Sequence, residues 1–229
     1  MEVRRNVLVV GASRGLGLAL TEEYCGRGWH VIATSRDESA GLESLRKRYP
    51  ASLELETVDI VDFSSVKALR TRLEGRKLNT LFVNAGIAKA NELTSVEVDE
   101  ADFLDMMLTN ALGPMRVIEV FRDIVEERGV MAAMSSEIGS ITNSYGFWEL
   151  YSASKTALNM LMKAFSTRHS DDSRALLLVA PGWVRTEMGG PEATFGIWES
   201  IPLVVDVVER NAGVPGLRFT DRHGVILPW

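Results

Sequence analysis

Short runs of valine, isoleucine and leucine recur along this chain, separated by longer amphipathic stretches, with no internal repeat and no low-complexity tract. A run that is apolar almost throughout reads as a strand covered by helices on both faces. Strands are expected near 6–10, 30–35, 53–58, 80–84, 130–135, 175–180 and 224–227. Helices fit between them near 15–28, 39–48, 63–74, 100–127, 151–168 and 200–211. This alternation predicts an α/β fold, a doubly wound parallel sheet of seven strands with right-handed crossovers. Such sheets bind ligands at the carboxyl ends of their strands. At 229 residues the chain fits a single domain, residues 1–229, with no composition break to divide it.

The first of those strand ends runs into Gly11-Ala-Ser-Arg-Gly15-Leu-Gly17, which opens the first helix. Glycines there permit a tight turn and let a pyrophosphate approach the backbone, while the helix N-terminus offers unpaired N–H groups to the anion. The spacing is GxxxGxG, not the GxGxxG of many dehydrogenases. The second strand ends at Ser35-Arg36, where a dinucleotide fold meets the adenosine ribose. An arginine there pairs with a 2′-phosphate, so Arg36, helped by Arg14, predicts NADP(H) over NAD(H); the neighbouring Asp37 argues the other way. Asp59 follows the third strand and could accept from an adenine amino group. Its alternative, capping the next helix, fits Asp62 better. Asn84-Ala-Gly86 closes the fourth strand with a turn that leaves room for adenosine or its ribose. Asn110 sits in a helical run where asparagine is a mediocre helix former, and its amide could hold a water or a lysine.

Ser135 and Ser136 end the fifth strand, and a hydroxyl there would donate to a carbonyl oxygen that becomes an alkoxide. Tyr151 and Lys155 lie four positions apart, one turn of one helix face that continues through Leu158 and Met162. An ammonium at about 4 Å in an effective dielectric of about 20 interacts with a phenolate by roughly 4 kcal/mol. That would lower the phenol by about three units, into the range of acid/base work. After the sixth strand, Pro181-Gly182-Trp183-Val184-Arg185-Thr186 could lie against a nicotinamide, with Thr186 or backbone groups on its carboxamide.

The net charge of −6 and the lack of a basic run argue against nucleic acid or anionic membrane as partner. No apolar stretch reaches the length of a membrane span, and Met1-Glu-Val-Arg-Arg leads into a strand rather than a signal sequence, so a cytoplasmic protein is expected. A single cysteine, Cys25, excludes an internal disulfide and reads as an apolar filler. His30, His169 and His223 show no metal-ligand spacing, so no metal is expected.

Taken together, Gly11-xxx-Gly15-x-Gly17, Asp59, Asn84-Ala-Gly86, Asn110, Ser136, Tyr151-xxx-Lys155 and Pro181-Gly182 stand in the order and approximate spacing of the short-chain dehydrogenase/reductase family, which the chain resembles nearly end to end. Within it, Met134-Ser-Ser-Glu-Ile-Gly-Ser-Ile141, the stretch 181–190 and Gly224-Val-Ile-Leu-Pro-Trp229 are most similar to sniffer-type carbonyl reductases and bacterial C-factor proteins. The resemblance implies a Rossmann-type domain and hydride transfer between NADP(H) and a carbonyl or alcohol. It gives Tyr151 the role of general acid or base, Ser136 that of steadying the oxygen, and Lys155 that of tuning the phenol and holding the nicotinamide ribose. Asn110 would extend a proton relay through water. The cofactor would rest on the glycine turn (Gly11, Ser13, Arg14, Gly15, Leu16, Gly17), on Arg36, Asp59 and Ile60, and on Asn84, Ala85 and Gly86. Beyond the catalytic pair, Pro181, Gly182, Val184 and Thr186 would hold the nicotinamide end.

Two departures stand out. Val83 replaces the first asparagine of the family's Asn-Asn-Ala-Gly, and the step from Ser136 to Tyr151 exceeds the usual spacing, which falls on Ile138. A loop insertion around 143–148 accounts for the second, with Ser135 or Ser140 as alternative sources of the hydroxyl. A substrate loop is expected around 187–200. There Phe195 and Trp198, together with Phe147, Trp148 and Trp183, would wall a pocket for an apolar or aromatic ketone or aldehyde, or else belong to core or interface. Small and apolar residues on two helices, Ala153, Ala157, Leu161 and Ala164 among them, suggest a homodimer. The C-factor likeness also admits a signalling or binding protein that keeps the dinucleotide fold.

Overall fold

The computed structural model describes residues 5–229, so the reading of Met1 to Arg4 lies outside the described residues. Seven parallel strands form one sheet in the order β3-β2-β1-β4-β5-β6-β7. They are β1 (Asn6–Val10), β2 (His30–Ser35), β3 (Leu53–Thr57), β4 (Leu78–Val83), β5 (Val125–Met134), β6 (Ala175–Ala180) and β7 (Gly216–Asp221). The chain direction across the sheet reverses between β1 and β4, which makes their carboxyl ends the crevice where such folds bind ligands.

Two helical layers explain why the central strands are apolar on both faces. Helices α1 (Gly15–Gly26), α2 (Ala40–Arg48) and α7 (Ile197–Asn211) cover one side through Leu20, Leu42, Val204 and Val208. Helices α3 (Phe63–Arg72), α5 (Gly113–Phe121) and α6 (Glu149–Arg168) cover the other through Val66, Ile118, Leu158 and Phe165. Cys25 is buried in the first of these layers.

Two elements differ from the sequence reading. The run expected as one helix over 100–127 is α4 (Glu100–Met107), a π-helical turn at Leu108–Leu112, α5, and a 3-10 turn at Arg122–Ile124; Val125 already belongs to β5. The last strand is Gly216–Asp221, not 224–227, where Ile226 makes only an isolated bridge back to Thr220. Val225 and Ile226 are exposed, so the apolar letters that suggested a strand there are not core letters. Asp99 caps α4, accepting from Ala101 N at 2.8 Å. None of the helices in the described residues is long and apolar enough to cross a membrane, and no group of three or more potential metal ligands occurs among those residues.

Candidate active site

At the switch point β1 runs into Gly11 with φ +85°, and a Cβ there would lie 2.6 Å from the backbone of Ala85. Only glycine fits a positive φ pressed against a neighbouring strand end. A Cβ on Gly17 would likewise collide with the Gly11 carbonyl oxygen. Asn84 fixes the turn by donating from Nδ2 to that same carbonyl at 2.8 Å, and Ala85 N donates to Val10 O at 3.0 Å. From the other side, the Ser39 hydroxyl donates to Ser13 O at 2.7 Å while capping α2. The turn is thus braced by β2 and β4, and α1 starts behind it at Gly15 with no side-chain cap on its first amides. That leaves Ser13, Arg14, Gly15 and Leu16 around an uncapped helix N-terminus of the kind that receives a phosphate.

Arg36 and Asp37 are exposed on a hollow of about 550 Å³ at the ends of β2 and β3, shared with Ser35, Leu55 and Thr57. Arg14 does not join Arg36. Its guanidinium pairs with Glu187, on the loop after β6. Asp59 accepts from Val61 N at 2.9 Å, next to the buried Ile60, and it is Asp62 that caps α3, accepting from Ser64 N at 2.8 Å.

The catalytic candidates converge from β5, α6 and the π-turn. Ser136 sits just past β5, close enough to the Tyr151 phenol for its hydroxyl to favour the phenolate. The two alternative serines are engaged elsewhere: Ser135 donates to Asn159 Oδ1 at 2.7 Å, and Ser140 donates to Trp229 O at 3.4 Å. Lys155 Nζ lies 5.5 Å from the Tyr151 ring centre and donates to Met134 O at 3.0 Å. An ammonium has three donors, and the other two find no acceptor among the described residues. A side chain on Gly86 would meet Asn110 Oδ1 at 3.3 Å and Lys155 Nζ at 3.4 Å, so the Asn84-Ala-Gly86 turn faces both.

Asn110 is buried, and its amide is held by protein groups, none of them a lysine. Oδ1 accepts from Ile87 N at 2.8 Å, while Nδ2 donates to Ile87 O at 2.8 Å and to Ser154 Oγ at 2.9 Å. The side chain therefore ties the chain beyond β4 to α6. Sequence reasoning missed Asn159, whose Nδ2 donates to Gly139 O at 3.1 Å while its Oδ1 receives Ser135. Spacing offered a signal, since Tyr151, Lys155 and Asn159 repeat at four-residue steps on one face.

Burial sets the protonation of the pair. It pushes the Tyr151 phenol up to about 12, a rise that the Ser136 hydroxyl opposes. It pushes the Lys155 ammonium down to about 8. The expected three-unit fall of the phenol is therefore absent: burial raises it, and the opposing influence comes from Ser136 rather than from Lys155.

The far end of the cleft is built differently. Trp148, in a left-handed conformation at φ 54°, starts α6 and packs its ring edge-on against Tyr151 at 5.6 Å. Pro181 O accepts from Ser200 Oγ at 2.7 Å, and Thr186 Oγ1 takes Gly189 N at 3.0 Å to fold a short turn behind the buried Val184. Gly182 has φ +83° beside Phe195. Phe195 bridges Val184 and carries the Arg222 guanidinium 3.7 Å above its ring. Phe147, Trp183 and Trp198 are exposed.

A glycine turn at the sheet's switch point, facing a serine, tyrosine and lysine at the same edge, defines a dinucleotide-dependent oxidoreductase class. The short chain dehydrogenase family model matches residues 5–195, and the chain belongs to that family. It is 33% identical over 97% of its length to 1-hydroxy-2-glutathionyl-2-methyl-3-butene dehydrogenase of Rhodococcus sp., covering 99% of that protein. A short-chain dehydrogenase/reductase structure from Burkholderia multivorans with bound NADP matches with a TM-score of 0.97 at 46% identity, over 99% of this chain and 100% of that one. The carbonyl reductase Sniffer of Drosophila melanogaster matches with a TM-score of 0.87 at 27% identity, over 99% and 100%.

Proposed function

We propose that this protein is an NADP(H)-dependent carbonyl reductase, reducing an apolar or aromatic ketone or aldehyde to an alcohol, or catalysing the reverse. The observation that carries the reading is the Tyr151 phenol, beside Ser136 and with its ring centre 5.5 Å from an ammonium that has two donors to spare. When bound, the reduced nicotinamide supplies the hydride to the carbonyl carbon. Tyr151 gives its proton to the carbonyl oxygen, and Ser136 donates a hydrogen bond to the same oxygen as charge builds on it. A phenol held up to about 12 keeps its proton at neutral pH, which suits the acid role in reduction. Lys155 turns its spare donors toward the nicotinamide ribose, and its positive charge steadies the phenolate left after transfer. The backbone at Asn110 carries the replacement proton by way of water.

On the cofactor side, the glycine turn takes the pyrophosphate. Arg36 and the exposed end of β2 take a 2′-phosphate, and Asp59 and Ile60 border the adenine. Gly86 leaves space for the ribose, while Pro181, Gly182, Val184 and Thr186 bound the nicotinamide. A Burkholderia neighbour holding NADP supports that choice. Within the single domain, the loop around 187–200 with Trp183, Trp198 and Phe147 forms the apolar wall of the substrate site. Exposed Phe103, Leu104, Met160 and Leu161 on α4 and α6 support a homodimer, for which light scattering at micromolar concentration is the check. The working compartment in this reading is the cytoplasm.

The test is Tyr151→Phe. Turnover of a carbonyl panel, followed at the NADPH absorbance, is expected to fall at least about a hundredfold, with cofactor affinity retained. Unchanged turnover overturns the mechanism, whereas a biological output that survives the substitution supports the signalling reading, since a pure binder has no use for the phenol.

A further inference from the structure

Arg14 has two claims on it. Its backbone follows Ser13, whose carbonyl accepts from the Ser39 hydroxyl at 2.7 Å, so it stands beside the β2-to-α2 turn that carries Arg36. A 2′-phosphate bound there is within the natural reach of an arginine. Yet the guanidinium pairs with Glu187. The loop after β6 does come close to the glycine turn, because a Cβ on Gly15 would lie 3.8 Å from Thr186 Cγ2. Glu187 belongs to the loop that Thr186 folds by taking Gly189 N, the same loop that carries the apolar wall.

We infer that Glu187 is a specificity-determining residue: its carboxylate competes with the 2′-phosphate of the cofactor for Arg14. This rests on the NADP(H) reading above. Swinging the guanidinium toward a phosphate at the Arg36 turn takes it off Glu187, so the two anions draw the one side chain to different places. Both members of the pair are largely exposed, at 72% and 77%, so the contact is weak enough for a phosphate to displace. A cofactor without that phosphate leaves the Arg14–Glu187 pair closed across the cleft. A cofactor with it opens the pair and frees the loop at its Glu187 end. Recognition at the adenosine end is thereby linked to the freedom of the substrate loop.

The experiment measures dissociation constants of NADP⁺ and NAD⁺ for the wild type, Glu187→Gln, Arg14→Gln and the double variant. Removing the competing charge is expected to tighten NADP⁺ by about twofold to fivefold, the range of one exposed ion pair, with NAD⁺ unchanged. In the Arg14→Gln background the second substitution is expected to do nothing, because the contested group is gone. An unmoved NADP⁺ to NAD⁺ ratio in Glu187→Gln, in a protein that prefers NADP⁺, overturns the competition alone. A wild type without that preference overturns the cofactor reading on which it stands.

Discussion

The two ends of the cleft are held by different bonds. At the phosphate end, the glycine turn is fixed by strand ends: Asn84 and Ala85 from β4, Thr34 from β2, and the Ser39 cap, all within 3.3 Å. At the aromatic end, loops brace one another, Arg185 on Ala193 O at 2.8 Å and Trp183 on Gly189 O at 2.8 Å, with large rings left in solvent. Strand ends inherit the rigidity of the sheet, whereas a loop braced by side chains can rearrange at small cost. The rigid end suits a ligand that never varies, and the looser end one that is chosen.

That contrast can be broken or sharpened. The largest expected effect is at the phosphate end. Gly11→Val puts a branched side chain at φ +85° against Ala85, and a stability loss of about 4 kcal/mol is expected in denaturant melts, with cofactor binding lost.

Next comes pH. Lys155 is charged below about 8 in the fold and, by its ordinary value of 10.5, up to that pH when unfolded. The unfolded chain therefore holds the extra proton between the two, and stability is expected to rise with pH across that window by up to about 3 kcal/mol. Tyr151, pushed up to about 12, has the opposite effect: above 10 the unfolded chain loses the proton first and stability falls. Lys155→Met should flatten the rise, read from melts between pH 7 and 10. In the wild type, reduction at low cofactor concentration should decline above about pH 8 as the ammonium is lost.

A smaller loss, about 2 kcal/mol, is expected for Asn110→Leu, which strands the Ile87 amide and carbonyl. Smallest in stability are Phe147→Ala and Trp198→Ala, expected within about 0.5 kcal/mol of wild type because both rings are exposed. For these the informative quantity is KM across the carbonyl panel. A severalfold rise for aromatic substrates sharpens the contrast, and a large stability loss would erase it.

The same difference governs what could be read from the letters. β1, β2 and β6 are legible because a strand buried on both faces must be apolar throughout, and Gly11, Asn84 and Ser136 follow from where β1, β4 and β5 stop. β7 is not, because an edge strand paired only with β6 tolerates Arg218 and Asp221, and the apolar Val225 and Ile226 beyond it drew the reading away. The start of β5 hid behind Glu126, Glu127 and Arg128, which are exposed and polar where the strand extends past the core. Periodicity carried the helix reading through Leu108–Leu112 without registering a π-turn. The position of Tyr151 was legible from its partner four residues on, whereas the balance between burial and charge that sets its proton depends on packing alone.

That π-turn has a consequence for how the molecule can change. A helix rotates by about 100° per residue, so the wider loop at Leu108–Leu112 works as a phase shifter between α4 and α5. Deleting one residue there would swing the α4 surface around its axis relative to α5. A single lost codon in this stretch should thus re-aim whatever α4 meets.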